Sequence, residues 1–150
     1  MGKRGFAVIR AYSDAGLELP RRGTAGSAGY DLAAAETVEL KPGQAALIPT
    51  GLKAYMRQDE VLMLYIRSSL AVKHHLVLMN QVGIIDSDYF DNPRNEGHIQ
   101  IAVRNFGTEP FVVEKGMRIA QGIFMRYLTV DDDSPGEGKL RNGGFGSTGM

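Results

Sequence analysis

Four stretches of this chain carry residue types that can do chemistry. Asp86-Ser87-Asp88-Tyr89 follows the apolar run Val82-Gly83-Ile84-Ile85. A carboxylate at a strand end can take a proton from water as a general base, and a neighbouring tyrosine ring can pack on a sugar face. The plainer meaning of Asp-Ser-Asp is a hairpin turn. Arg67-Ser68-Ser69-Leu70-Ala71 follows the apolar run Val61 to Ile66. A strand that turns into a helix start offers free amides and a positive dipole end, which with an arginine and two hydroxyls suits phosphate oxygens. The same residues also describe an ordinary helix cap beside a surface arginine. Near the C-terminus, Gly143, Gly144, Gly146 and Gly149 surround Phe145, with Arg141, Ser147 and Thr148 close by. Glycine lets a backbone approach a ligand closely. Amides and hydroxyls suit phosphate, and an aromatic ring can stack on a base. Composition alone describes a functionless terminus equally well. Asp31, between Tyr30 and Leu32, suits a hydrated metal or a turn cap.

The elements that must position these residues are mostly strands. Turn signals recur at short intervals: Arg22-Gly23, Pro42-Gly43, Thr50-Gly51, Asn92-Pro93, Phe106-Gly107 and Lys115-Gly116. Between them the pattern predicts strands over Ala45 to Pro49, Val61 to Ile66, Leu76 to Met79, Ile99 to Val103, Phe111 to Val113 and Ile119 to Tyr127. Ile99, Ile101 and Val103 share one face, as a half-buried strand requires. Many short strands with Gly and Pro punctuation argue for an all-β sandwich, jelly roll or barrel. One short helix is expected over Ser68 to His75, capped by Ser68 or Ser69. Residues 1–130 form the expected core, and the polar stretch from Asp131 to Gly138 reads as a linker to a C-terminal arm.

Composition narrows the function. Lys+Arg and Asp+Glu both number 17, so the chain is neutral and lacks the basic excess of a nucleic-acid binder. There is no Cys, which excludes disulfides and thiolate metal sites. His74, His75 and His98 show no metal-ligand spacing. No apolar run approaches the roughly 18 residues of a membrane helix, and the N-terminus does not read as a signal peptide. A cytoplasmic protein with no membrane partner is the expectation. There is no Walker-type phosphate loop, no Gly-x-Ser-x-Gly elbow and no His-Glu-x-x-His.

The order of the short motifs along the chain resembles the trimeric dUTPase family. They read Ala28-Gly29-Tyr30-Asp31-Leu32, Arg67-Ser68-Ser69-Leu70-Ala71, Gly83-Ile84-Ile85-Asp86-Ser87-Asp88-Tyr89, Gly116-Met117-Arg118-Ile119-Ala120-Gln121 and Gly143-Gly144-Phe145-Gly146-Ser147-Thr148-Gly149. The resemblance implies a jelly-roll-like distorted barrel that assembles as a homotrimer with active sites at subunit interfaces. It implies hydrolysis of dUTP to dUMP and pyrophosphate with Mg²⁺, which serves nucleotide metabolism and keeps uracil out of DNA. By the same resemblance Asp86 is the base that prepares the attacking water. Gly83, Ile84, Ile85 and Gln100 lie where the family's backbone reads uracil, with Asn80 the matching side chain. Tyr89 packs on the deoxyribose and excludes a 2′-hydroxyl. Arg67, Ser68, Ser69 and Gln121 contact phosphates, and Asp31 meets the metal through water. Phe145 stacks on the base, and Gly146, Ser147 and Thr148 complete the closing arm.

The chain departs from the family pattern in three places. Ser69 stands where the family often has Gly. Phe90 to Glu96 lengthens the usual short turn before Gly97, which predicts a longer hairpin tip of open role. Arg141 lies four residues before Phe145 where the family's arginine commonly lies five before, so Arg141 or Lys139 is the candidate γ-phosphate clamp. dCTP deaminase shares the fold and an Arg-Ser-Ser-Leu-Ala-like segment, but the Phe arm and Ile85 to Tyr89 favour dUTPase. A regulator that engages other proteins is the alternative of a different class, with 90–96 as its surface.

Overall fold

The structure is a computed structural model that describes residues 2–134 and 141–146. Twelve strands account for most of the order: β1 Gly5–Val8, β2 Arg21–Arg22, β3 Tyr30–Ala33, β4 Val38–Leu40, β5 Ala45–Pro49, β6 Leu52–Tyr55, β7 Glu60–Ile66, β8 Leu76–Leu78, β9 Gly83–Asp86, β10 Gln100–Asn105, β11 Phe111–Val113 and β12 Arg118–Arg126. They form a five-stranded sheet in the order β2-β3-β12-β7-β9, a three-stranded sheet β5-β10-β8, and two pairs, β1-β6 and β11-β4. All pairings are antiparallel. This is the expected all-β, jelly-roll-like fold, with one short α-helix among the described residues.

Period-two alternation builds the core. In β7, Leu62 and Leu64 point inward, and in β10 Ile101 and Val103 do the same. They join Leu32, Ile48, Leu76, Leu78, Ile99 and Ile119 in one apolar cluster between the sheets. Burying each such side chain contributes about 1.5–3 kcal/mol. Polar residues inside this frame are paired. Glu60, almost fully buried at the start of β7, accepts from Arg4 Nε (3.0 Å) and Nη2 and from the Arg57 amide at 3.2 Å. Asn105 closes the turn after β10 by donating to the Leu40 and Glu109 carbonyls (2.9 and 2.8 Å) and accepting from Gly107 N–H (2.8 Å).

The helix α1 spans Ser68–His74, and its cap differs from the expectation. Arg67, not a serine, is the N-cap, and among the described residues no side chain caps the helix. The reason is the sheet: Arg67 N–H still bonds the Ile119 carbonyl (3.2 Å), so Arg67 stays extended while its own carbonyl accepts from Leu70 and Ala71. Ser68 and Ser69 fall inside the first turn, exposed and uncommitted to capping. The helix ends at His75, in the left-handed region at φ 54°.

Candidate functional site

Two clusters hold most of the predicted site residues that the structure describes. The first is a cradle where β7 turns into α1. Antiparallel register sets Gln121 of β12 opposite Asp31 of β3, and Ile66 of β7 opposite Ala120. Arg67, Ser68, Ser69, Asp31, Gln121 and Arg118 therefore line one cavity of about 330 Å³. Asp31 sits between two cations, with Arg118 Nη1 at 3.2 Å and Arg67 Nε at 3.6 Å. Gly29 also lines the cavity, and a Cβ there would lie 2.6 Å from Gln121 Oε1. The arrangement concentrates cationic and hydroxyl groups around a space that suits a phosphate chain.

The second cluster lies at β9. This strand is the outer member of its sheet and, among the described residues, pairs only with β7, so one side of its backbone faces away from the ladder. Ile84 is exposed, whereas Gly83 packs so closely on Leu64 that a Cβ would lie 3.0 Å from that side chain. Asn80 is exposed in the turn before β9, and Gln100 opens β10. After Asp86 the chain makes a 3-10 turn over Ser87–Tyr89, which buries Tyr89 to 6% exposure. Tyr89 Oη donates to the His98 carbonyl at 2.8 Å and accepts from Asn95 Nδ2 at 2.8 Å. Burial raises the Tyr89 phenol above its ordinary pKa, although the Asn95 bond and the Arg141 charge oppose the rise.

The arm crosses this second cluster. Arg141 donates from Nη2 to Asp86 Oδ2 and from Nε to Asp88 Oδ1, both at 2.6 Å. Gly144 passes over the Tyr89 ring, where a Cβ would lie 3.1 Å from it, and Gly143 passes over Arg94. Phe145 is 65% exposed. Ser147, Thr148 and Lys139 lie outside the described residues.

One chain does not unite the two clusters. Asp86 pairs with Val61, at the opposite end of β7 from Arg67. Six strand residues at about 3.3 Å each put the two roughly 20 Å apart. The sequence pattern missed four participants. Arg118 lies inside a recognised motif, which was the available signal. Asp88 had no assigned chemistry, and its partner is 53 residues away. Asn92 and Asn95 lie in the lengthened turn, which packs back on the body: Lys53 of β6 bonds Asp91 (2.5 Å) and Glu96 (2.7 Å).

Comparison with known proteins gives a consistent result. The dUTPase family profile matches residues 15–149. A deoxyuridine 5′-triphosphate nucleotidohydrolase of Lactococcus lactis is 56% identical over 146 residues, covering 97% of both chains. One from Bartonella henselae is 43% identical and covers 96% of this chain and 83% of its own. A crystal structure of a dUTPase from Streptococcus mutans superposes with a TM-score of 0.80 at 50% identity, covering 85% of this chain and 98% of that one. A dUTPase from phage phi11 of S. aureus, described with a structural Mg(II) ion, shares the fold at TM-score 0.72 and 22% identity.

Proposed function

The chain belongs to the dUTPase family and hydrolyses dUTP to dUMP and pyrophosphate, and we propose that it does so at sites built from three copies of itself. The span of β7 supports this assembly. The cradle at Arg67 and the carboxylate at Asp86 occupy its opposite ends, so a substrate touching both must lie between different chains. A closed trimer supplies three equivalent interfaces of that kind.

In this reading the triphosphate lies in the cradle against Arg67, Ser68, Ser69 and Gln121. The uracil edge meets the outward backbone of Ile84 and Ile85 beside Gly83 and Gln100, with Asn80 adding a side-chain contact. Tyr89 packs on the deoxyribose. Asp86 orients a water and takes its proton as the water oxygen bonds to the α-phosphorus. The bond from that phosphorus to the bridging oxygen breaks, and pyrophosphate leaves. A positioned base of this kind contributes about 10²–10⁴ in rate, and charge stabilisation at the phosphates carries much of the rest.

Residues 131–150 act as linker and arm. Arg141 exchanges its two carboxylates for the γ-phosphate, which leaves Asp86 Oδ2 free for water, while Phe145 covers the uracil and Gly146, Ser147 and Thr148 close over the phosphates. Closure excludes water and completes the site.

The residues fit a magnesium ion carried by the substrate, not one caged by protein. Among the described residues no three carboxylates or imidazoles converge, and the cradle offers the single carboxylate of Asp31. Asp31 would hold such an ion through water, and Mg²⁺ when bound neutralises charge on the triphosphate. No helix among the described residues is long and apolar enough to cross a membrane, and the cytoplasm is the compartment this reading assigns.

Pyrophosphate release with dUTP, dTTP, dCTP and UTP, with and without Mg²⁺, tests the assignment. Turnover of dUTP alone, dependent on Mg²⁺, is expected. Ammonia release from dCTP, or equal use of UTP, would refute it.

A further inference from the structure

The Phe90 to Glu96 segment has no part in the chemistry above, yet it is tied tightly to a residue that does. Asn92, 5% exposed, donates from Nδ2 to the Tyr89 carbonyl (2.8 Å) and to Asn95 Oδ1 (2.7 Å). Its own Oδ1 accepts from the amides of Arg94 and Asn95, both at 3.2 Å. Gly97 N–H donates to Asn95 Oδ1 at 3.1 Å. The Asn95 atom that meets those two N–H donors must be its oxygen, so its amide nitrogen is the atom that faces Tyr89 Oη at 2.8 Å. Tyr89 therefore accepts there and spends its own proton on the His98 carbonyl.

The loop is closed as well as bonded. Asp91 N–H bonds the Glu96 carbonyl (3.1 Å) and Glu96 N–H bonds that of Asn92 (2.9 Å). Gly97, at φ +83°, brings the chain back where a Cβ would lie 2.7 Å from the Tyr89 carbonyl oxygen. Lys53 holds the outer side through Asp91 and Glu96, and Phe90 packs edge-on against Tyr55. The segment thus grips Tyr89 at both its carbonyl and its hydroxyl.

We propose that Asn95 is a positioning residue for sugar discrimination, fixing the Tyr89 ring through its hydroxyl so that a 2′-hydroxyl meets a rigid wall. The idea rests on the assignment of Tyr89 to the deoxyribose. Steric rejection is only as strong as the stiffness of the wall, because a ring that can shift a fraction of an ångström makes room for one oxygen. The lengthened turn supplies that stiffness.

The test compares kcat and KM for dUTP and UTP in the full-length protein and in Asn95→Asp, Tyr89→Phe, their double variant and Tyr89→Ala. Asn95→Asp keeps the acceptor that Asn92 and Gly97 use but replaces the donor toward Tyr89 with a carboxylate oxygen, which competes with the His98 carbonyl for the Tyr89 proton. Its preference for dUTP over UTP is expected to fall about fivefold to tenfold, the measure of one hydrogen bond, mainly through a lower KM for UTP. Tyr89→Phe is expected to lose a similar factor, and the double variant no more than either alone. Tyr89→Phe deletes that bond together with the one to the His98 carbonyl and leaves the loop residues themselves unchanged, so a wild-type preference in that variant overturns the proposal even where Asn95→Asp does not fold. Parallel loss of both nucleotides in Asn95→Asp, or losses that multiply in the double variant, also overturn it. Unchanged discrimination in Tyr89→Ala removes the sugar assignment itself. Relaxed discrimination there with a wild-type ratio in Asn95→Asp removes only the brace.

Discussion

A mixture of two disabled variants tests how the site is assembled. Asp86→Asn removes the proposed base, and Arg67→Ala removes a cation of the cradle. Within one chain these groups sit at opposite ends of β7, roughly 20 Å apart by strand rise. A base must lie within about 3 Å of the water it deprotonates, itself in contact with the phosphate that the cradle holds. One chain cannot supply both groups to one substrate. Each variant alone is expected to lose activity, by about 10²–10⁴ for the base. When the two are co-denatured and refolded in equal amounts, chains mix at random. Half of the sites then receive an intact Asp86, and half of those receive an intact Arg67 from another chain. Roughly one quarter of the sites should be whole in a closed cyclic assembly. Pyrophosphate release per site, measured on the trimer fraction from size exclusion, reads this directly. A mixture no more active than its parents would show that both groups act from one chain, and the division of labour along β7 would be wrong.

Two further outcomes follow from the structure. Removing 139–150 deletes Arg141 and Phe145, and kcat is expected to drop about a hundredfold or more. The melting temperature should hardly move, because residues 141–146 touch Asp86, Asp88, Tyr89 and Arg94 but contribute nothing to the apolar core; full turnover by the truncated chain would rule out the arm as a lid. The hydrogen bond from Arg4 holds the Glu60 carboxyl at about 2, against an ordinary 4.5, although burial opposes the shift. A carboxylate lowered in this way stabilises the fold above the unfolded value and loses that contribution as pH falls from 4.5 toward 2. Melting temperature should therefore fall more steeply with acid in the parent than in Glu60→Gln, and parallel curves would remove Glu60 from the acid response.

Much of the frame was legible in local pattern. Alternation in Ile99, Ile101 and Val103 marked an inward face, and all three are buried. Ala45 to Pro49 and Phe111 to Val113 appear as strands with those bounds. The helix was legible but its cap was not, because Arg67 is held extended by Ile119, a residue 52 positions away. The lengthened turn was legible as a longer hairpin tip, but where it packs was not. Its packing depends on Lys53, which approaches from another strand pair.

The sequence by itself determined the chemical repertoire: an ordered set of motifs with one arginine and two hydroxyls for phosphate, an acid followed by a tyrosine, and a glycine-rich segment around Phe145. Those are properties of residue type and spacing, which the chain carries before it folds. Only the tertiary structure decided that Asp86 and Arg67 stand at opposite ends of one strand, that Asp88 shares Arg141 with Asp86, and that Asn95 holds the Tyr89 hydroxyl. The first is a matter of strand register and the second joins residues 53 to 55 positions apart. Even the short step from Asn95 to Tyr89 needs the loop to close on Gly97. Such contacts arise from which strands pair and how loops return, and no local pattern encodes either.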